Sequence, residues 1–329
     1  MKKRTILLFS IVPLIFGFLL ARVSSTHSSQ NASFSINNVQ SSDTITLSSK
    51  GDVYKITKEN VFQVTHNQNL IEPELVGDTF IAVSKNTNYS SLITYDASGH
   101  KIKTLFNGNA SSIDTMSWIT DPAIDPKGNK IAYVSDKDKK QTNVPDNALY
   151  VLNLNDGKST NIANPDPYSG GLSHPIWNPI DPNILLFDYY QYDPDSFSPY
   201  STIEIYNKQT GLTSPLTFEK LNAYQEAISP DGKQILLLSR NSTQNTVTLY
   251  IADMTANGLN NTHSLITGDL AYPAFSNTKN QIYYLYSEGN KGYNLATARI
   301  ENNKLNHVLP IVNGFQLLGN SSFSVTKKQ

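Results

Sequence analysis

From residue 43 onward, apolar residues fall in short strand-length runs separated by turn signals. The clearest unit is Ala227-Ile-Ser-Pro-Asp-Gly-Lys-Gln-Ile-Leu-Leu-Leu-Ser239, followed by Val247-Thr-Leu-Tyr-Ile-Ala-Asp253. The layout recurs over 123–135 with 148–154, over 176–187 with 202–206, and over 274–287 with 293–298; a weaker copy covers 74–84 with 92–95. The turn positions Asp125, Asn178, Ser229 and Ser276 are spaced by 53, 51 and 47 residues. Each repeat has room for four strands, the size of one propeller blade, a small sheet that buries its faces only against its neighbours.

Five repeats span about 73–311. Three runs remain at one end (44–47, 52–56, 61–65) and one at the other (321–326). Three plus one makes a sixth blade. The pattern therefore predicts an all-β, six-bladed propeller of four-stranded antiparallel blades over 43–329, its ring closed by a C-terminal strand joining the N-terminal blade. Such closure leaves no open sheet edge.

The first 42 residues differ. Lys2, Lys3 and Arg4 precede an apolar run from Ile6 to Ala21, the form of a secretory signal at a length near the lower limit of a membrane span. Residues 1–23 are read as a signal peptide or a retained membrane anchor, and either places the rest outside the cytoplasm. Residues 24–42, rich in Ser, Asn and Gln, read as a flexible linker. The expected location is the cell envelope or beyond it, with membrane contact through the N-terminal segment alone.

Composition narrows the chemistry. A net charge of −1 argues against nucleic acid, whose phosphates demand a basic face. The absence of cysteine excludes disulfides, thiolate metal sites and a cysteine nucleophile. Only 16% of residues are charged, so clustered carboxylates stand out.

Ser229-Pro-Asp-Gly-Lys-Gln-Ile235 resembles the core of the propeller repeat of TolB-like proteins, with degenerate relatives at Asp125-Pro-Lys-Gly-Asn-Lys-Ile131 and Asn178-Pro-Ile-Asp-Pro-Asn-Ile184. The resemblance covers about 43–326 and implies the blade type. It leaves function open, since the same repeat builds a protein-binding domain, peptidase propellers and some lyases. No Gly-x-Ser-x-Gly elbow is present. A weaker similarity links 172–187 to oligogalacturonate lyases, in which channel histidines help hold a metal, but the other histidines here stand in no matching context.

Aligned repeats expose one constellation. The innermost strand of each blade starts with a two-residue phrase: Glu72-Pro73, Asp121-Pro122, His174-Pro175, Gln225-Glu226, Tyr272-Pro273 and Asn320-Ser321. Proline suits a strand's first residue and is expected to hold its predecessor extended. Glu72, Asp121, His174, Gln225, Tyr272 and Asn320 are thus predicted to ring the channel mouth as a candidate ligand site. No cofactor is expected, the alternative being calcium or another divalent cation held by these carboxylates and the imidazole. Trp177, inside a strand, reads as core.

The longest insertion, 189–200, is rich in tyrosine and aspartate and reads as an interaction loop carrying Tyr190, Tyr192, Asp193, Asp195 and Phe197, with Asp188, Asp193 and Asp195 as alternative calcium ligands. The function expected first is a non-catalytic, monomeric scaffold binding a protein, peptide or envelope glycan. The alternatives are a metal- or carboxylate-dependent hydrolase or lyase acting on carbohydrate, and a surface-layer or adhesion component.

Overall fold

A computed structural model describes residues 38–87, 89–108, 117–137, 147–166, 170–193, 195–196, 198–217, 221–241, 244, 246–255, 258–287, 289, 292–311 and 321–326. The expected signal or anchor, most of the linker, Asn320 and Phe197 lie outside these residues.

The described residues form antiparallel sheets. The first holds β1 (Ile45–Ser49), β2 (Asp52–Ile56), β3 (Val61–Gln63) and the last strand, β23 (Phe323–Val325), in the order β23-β1-β2-β3. The second is β4 (Leu70–Val76), β5 (Thr79–Lys85), β6 (Ser90–Asp96) and β7 (Lys101–Asn107), and the third β8 (Ile119–Ile124), β9 (Lys130–Ser135), β10 (Ala148–Asn153) and β11 (Ser159–Ala163). The fourth is β12 (Gly171–Trp177), β13 (Ile184–Tyr192), β14 (Pro199–Asn207) and β15 (Leu212–Pro215). These are the four-stranded antiparallel blades of a β-propeller.

The remaining repeats form one seven-stranded sheet: β16 (Ala223–Ile228), β17 (Gln234–Asn241), β18 (Thr246–Thr255), β19 (Gly258–Phe275), β20 (Gln281–Ser287), β21 (Tyr293–Glu301) and β22 (Lys304–Pro310). This departs from separate four-stranded units. The cause is β19, which passes from one set of partners to the next without a loop: Val247 pairs with Gly268 on one side, and Asp269 pairs with Ser287 on the other.

The repeated apolar run in the second strand of each repeat has a physical basis. Successive side chains point to opposite faces of a strand, and here both faces are covered. Phe80 and Ala82 pack with Val53 of the first sheet, while Ile81 and Val83 pack with Tyr133 and Tyr150 of the third. Ile131 and Tyr133 face back, whereas Ala132 and Val134 face forward onto Phe187 and Trp177. Ile235 and Leu237 meet Leu186 and Ile203; Leu236 and Leu238 meet Ile282 and Tyr284. A strand between two sheets must be apolar at every position, so the runs are continuous rather than alternating.

Tyr283 and Leu285 extend the same rule from β20 to Ile45, Leu47 and Phe323. Buried Asp43 fixes that contact: its carboxylate accepts from the Tyr283 hydroxyl at 2.6 Å, from both nitrogens of Asn277 at 2.9 Å, and from the Ser276 hydroxyl. β23 lies beside β1, with Ile45 opposite Val325 and Leu47 opposite Phe323. Trp177 is core, and its Nε1–H donates to the Ala123 carbonyl of the preceding sheet at 3.0 Å.

Removing the Asp43 acceptor strands buried donors, each expensive to leave unpaired. Asp43→Ala is expected to cost about 3 kcal/mol of unfolding free energy, read from urea denaturation; a loss below about 0.5 kcal/mol, the range of an ordinary surface substitution, contradicts this.

Candidate functional site

Five of the six predicted ring residues are described, and all five share one backbone state. Glu72, Asp121, His174, Gln225 and Tyr272 have φ between 47° and 52°, in the left-handed region. In each case the strand register slips there: between Ile71 and Glu74, Thr120 and Ala123, Ser173 and Ile176, Tyr224 and Ala227, Ala271 and Ala274. The two-residue phrases are therefore β-bulges inside the inner strands, not strand starts, and the residue before proline is left-handed, not extended. The bulge overrides the local pre-proline preference. Proline follows naturally, because the second bulge residue has no ladder partner and proline has no N–H to orphan.

The left-handed residue turns its N–H out of its own sheet, where the neighbouring sheet supplies an acceptor. Glu72 N–H donates to Ser322 Oγ at 3.1 Å, and Asp121 N–H to Glu72 Oε2 at 2.7 Å. His174 N–H donates to Asp121 Oδ2 at 3.2 Å, and Tyr272 N–H to Gln225 Oε1 at 3.0 Å. Glu72, Asp121 and Gln225 thus each hold the next ring amide, and Ser322 holds that of Glu72, forming a belt at one end of the channel. At Gln225 the pattern changes. Its N–H goes to Asp188 of β13, 3.1 and 3.0 Å from the two carboxylate oxygens, instead of to His174.

Freed from that duty, His174 faces Glu226. Its Nδ1 lies 3.7 Å from Glu226 Oε2. Glu226 stands where four other repeats have proline, and it is fully buried. His174, Asp188 and Glu226 present ligand atoms all within 4.8 Å of one another. Glu226 and Asp188 lie within hydrogen-bonding reach of each other, whereas buried Nδ1 of His174 has no hydrogen-bond partner. Asp188 and Glu226 are both raised well out of the ordinary carboxylate range, chiefly by burial. For Asp188 the Glu226 charge adds to the rise and His174 opposes it.

Elsewhere on the belt, burial and then the Asp121 charge push Glu72 up to about 8, against the Asp121 amide and Lys85. The Tyr272 hydroxyl is raised by burial and by Asp121 and Glu72; its ring lies 6.4 Å from that of His174. These groups cap a cavity of about 170 Å³ whose wall below them includes Pro122, Pro175, Pro273, Ile176, Phe275 and Val325.

Solved structures share this architecture. TolB from Acinetobacter baumannii superposes with a TM-score of 0.66 at 16% identity, over 88% of this chain and 68% of that one. The fold is that of a TolB-like β-propeller. A protein assigned as TolB from Agrobacterium tumefaciens gives a TM-score of 0.56 at 13% identity, over 87% of this chain and 98% of that one. An oligogalacturonate lyase in complex with manganese gives 0.53 at 14%, over 78% and 69%. No family model and no curated protein sequence matches the chain. At these identities the likeness establishes the fold.

The segment expected as an interaction loop or as blade-edge packing, 189–200, belongs over much of its length to two paired strands. β13 and β14 extend into a hairpin in which Tyr192 pairs with Pro199. Tyr190 and Tyr192 are exposed and meet edge to face, 5.4 Å apart. Tyr190 also lies against Gly170, where a β-carbon would fall 2.5 Å from its ring. Asp193 closes the hairpin turn, accepting from the amides of Asp195 and Ser196. The alternative calcium set is therefore split: Asp188 is buried at the channel end, roughly 16 Å along an extended strand from Asp193.

Sequence reading passed over Glu226 and Ser322. The signal for Glu226 was present as a glutamate at a position that four repeats give to proline.

Glu72 carries a pH consequence. Its folded value of about 8 exceeds its ordinary 4.5, so the folded state retains a proton that the unfolded chain releases. Its stabilising contribution is fully present below about pH 4.5 and lost as pH rises through about 8. Glu72→Gln keeps an acceptor for the Asp121 amide without this titration. Urea midpoints should show the variant gaining on wild type between pH 5 and pH 8, with a level difference above; a difference independent of pH contradicts the assignment.

Proposed function

We propose that this chain is a non-catalytic, extracytoplasmic binding propeller of six blades that holds a peptide segment of a partner protein in its central channel. The six-blade count takes β19 as the outer strand of one blade and the inner strand of the next. Closure through β23 is supported by its pairing with β1 and by the Asp43 contacts with the β19–β20 turn. The extracytoplasmic location rests on the N-terminal pattern of Lys2, Lys3 and Arg4 before an apolar run.

The observation that carries the peptide reading is a cavity lined both by the polar ring and by the proline-rich apolar surface of Pro122, Pro175, Pro273, Ile176, Phe275 and Val325. At about 170 Å³ it has room for roughly five or six waters, the scale of one or two side chains or a chain end. A sugar would want planar polar groups along the wall, where this channel has prolines, Ile176, Phe275 and Val325. The acid–base alternative needs free carboxylates, yet Glu72 and Asp121 each hold the amide of the next bulge.

The test is a hexapeptide array followed by calorimetry with the purified chain, alongside an oligosaccharide panel assayed for binding and cleavage. A subset of peptides should bind at micromolar Kd. Ala274→Trp, which fills the channel, should abolish binding with the β-sheet circular dichroism intact. Saccharide turnover, or peptide binding unchanged by Ala274→Trp, overturns the reading.

A further inference from the structure

The junction between the fourth sheet and β16 breaks the belt's rule. At three junctions the ring side chain accepts the next ring amide, and in four repeats proline follows the ring residue. Here Asp188 from the second strand takes the amide, His174 is released, and glutamate replaces proline. The result is a carboxyl group with no exposed side-chain surface, set against the Asp188 carboxyl and the His174 imidazole. Burying a charge this way is unfavourable unless something pairs with it. His174 Nδ1 lies at 3.7 Å from Glu226 Oε2 and is itself unpartnered.

We propose that His174, Asp188 and Glu226 form a binding site for one divalent transition-metal ion, of the zinc or manganese type, at the wall of the channel. The donor set of one imidazole nitrogen and two carboxylates selects a borderline ion over calcium or magnesium, which prefer all-oxygen shells. The geometry is nearly in place. Bonds of roughly 2.0–2.2 Å set neighbouring ligand atoms about 3–3.6 Å apart, so donor atoms within 4.8 Å of one another need only a small contraction. His174 keeps 21% of its side chain exposed and, with Glu226, lines the cavity, which provides an entry path. Asp188 holds the Gln225 amide, so the ion ties the inner strands of adjacent sheets at the point where the belt lacks its usual ring-to-ring bond. Its open coordination positions face the cavity. This site stands apart from the peptide reading, and metal binding is read with no peptide present.

The experiment strips the purified full chain with chelator, then titrates it with Zn²⁺ and, separately, Mn²⁺, using Mg²⁺ and Ca²⁺ as comparisons. One ion per chain should bind, with a rise in Tm that Mg²⁺ and Ca²⁺ do not reproduce. Loss of an outer partner typically weakens metal binding 10–100-fold, so Glu226→Gln and His174→Ala should weaken it by roughly 100-fold or more. Glu226→Gln should also leave the metal-free protein at least as stable as metal-free wild type, because it removes one of two acidic groups crowded in a buried site. Absence of one-to-one binding overturns the site. So does one-to-one binding that both variants retain, which assigns the ion to surface histidines. A metal-free Glu226→Gln protein less stable than metal-free wild type overturns it too, marking the His174–Glu226 contact as a purely structural ion pair.

Discussion

The constraint on which this structure depends is the left-handed residue at the bulge of each inner strand. A non-glycine residue held there costs about 1–3 kcal/mol, and five such residues recur at equivalent positions. Each is held because its turned amide meets an acceptor on the neighbouring sheet, and such a hydrogen bond contributes about 0.5–1.5 kcal/mol, more where the acceptor is ionised. Bulge and belt sustain one another. Without the bulge the amide would point along its own ladder, and without the neighbour's carboxylate or amide oxygen the bulge would be strain alone. Sheets packed mainly through apolar side chains gain directional contacts at one end of the channel.

That constraint also decides which groups are free to do chemistry. Glu72, Asp121 and Gln225 are occupied as acceptors, so the polar end of the channel is mostly framework. His174 and Glu226 escape because Asp188 takes over one link. A functional group thus arises from a local exception to a structural repeat, on a scaffold that holds its partners fixed.

Much of the architecture was legible in the chain. The four-residue apolar runs at 131–134 and 235–238 announce strands covered on both faces, and the spacing of the turns announces repetition. The ring positions were legible through the X-Pro phrases. Their conformation was not, because the rule for residues before proline is local, whereas the bulge is stabilised by acceptors 37 to 53 residues away, such as Asp188 and Asp121. The 189–200 segment was read as an interaction loop, with blade-edge packing as the alternative, because its tyrosines and aspartates resemble a recognition surface. Pairing from Ile184–Asn207 out to Tyr192–Pro199 makes it a long hairpin instead. Glu226 was overlooked because it carries no motif; its meaning lies in the prolines of the other repeats.

Native-state hydrogen exchange at the amides of Glu72, Asp121, His174, Gln225 and Tyr272 tests the belt most directly. Amides locked between sheets can exchange only when the sheets separate, so all five should show protection equal to that of core strand amides such as Leu237 and Tyr133, with the free energy of global unfolding. Exchange of these amides at the rate of exposed turns, while the core strands remain protected, would contradict the account.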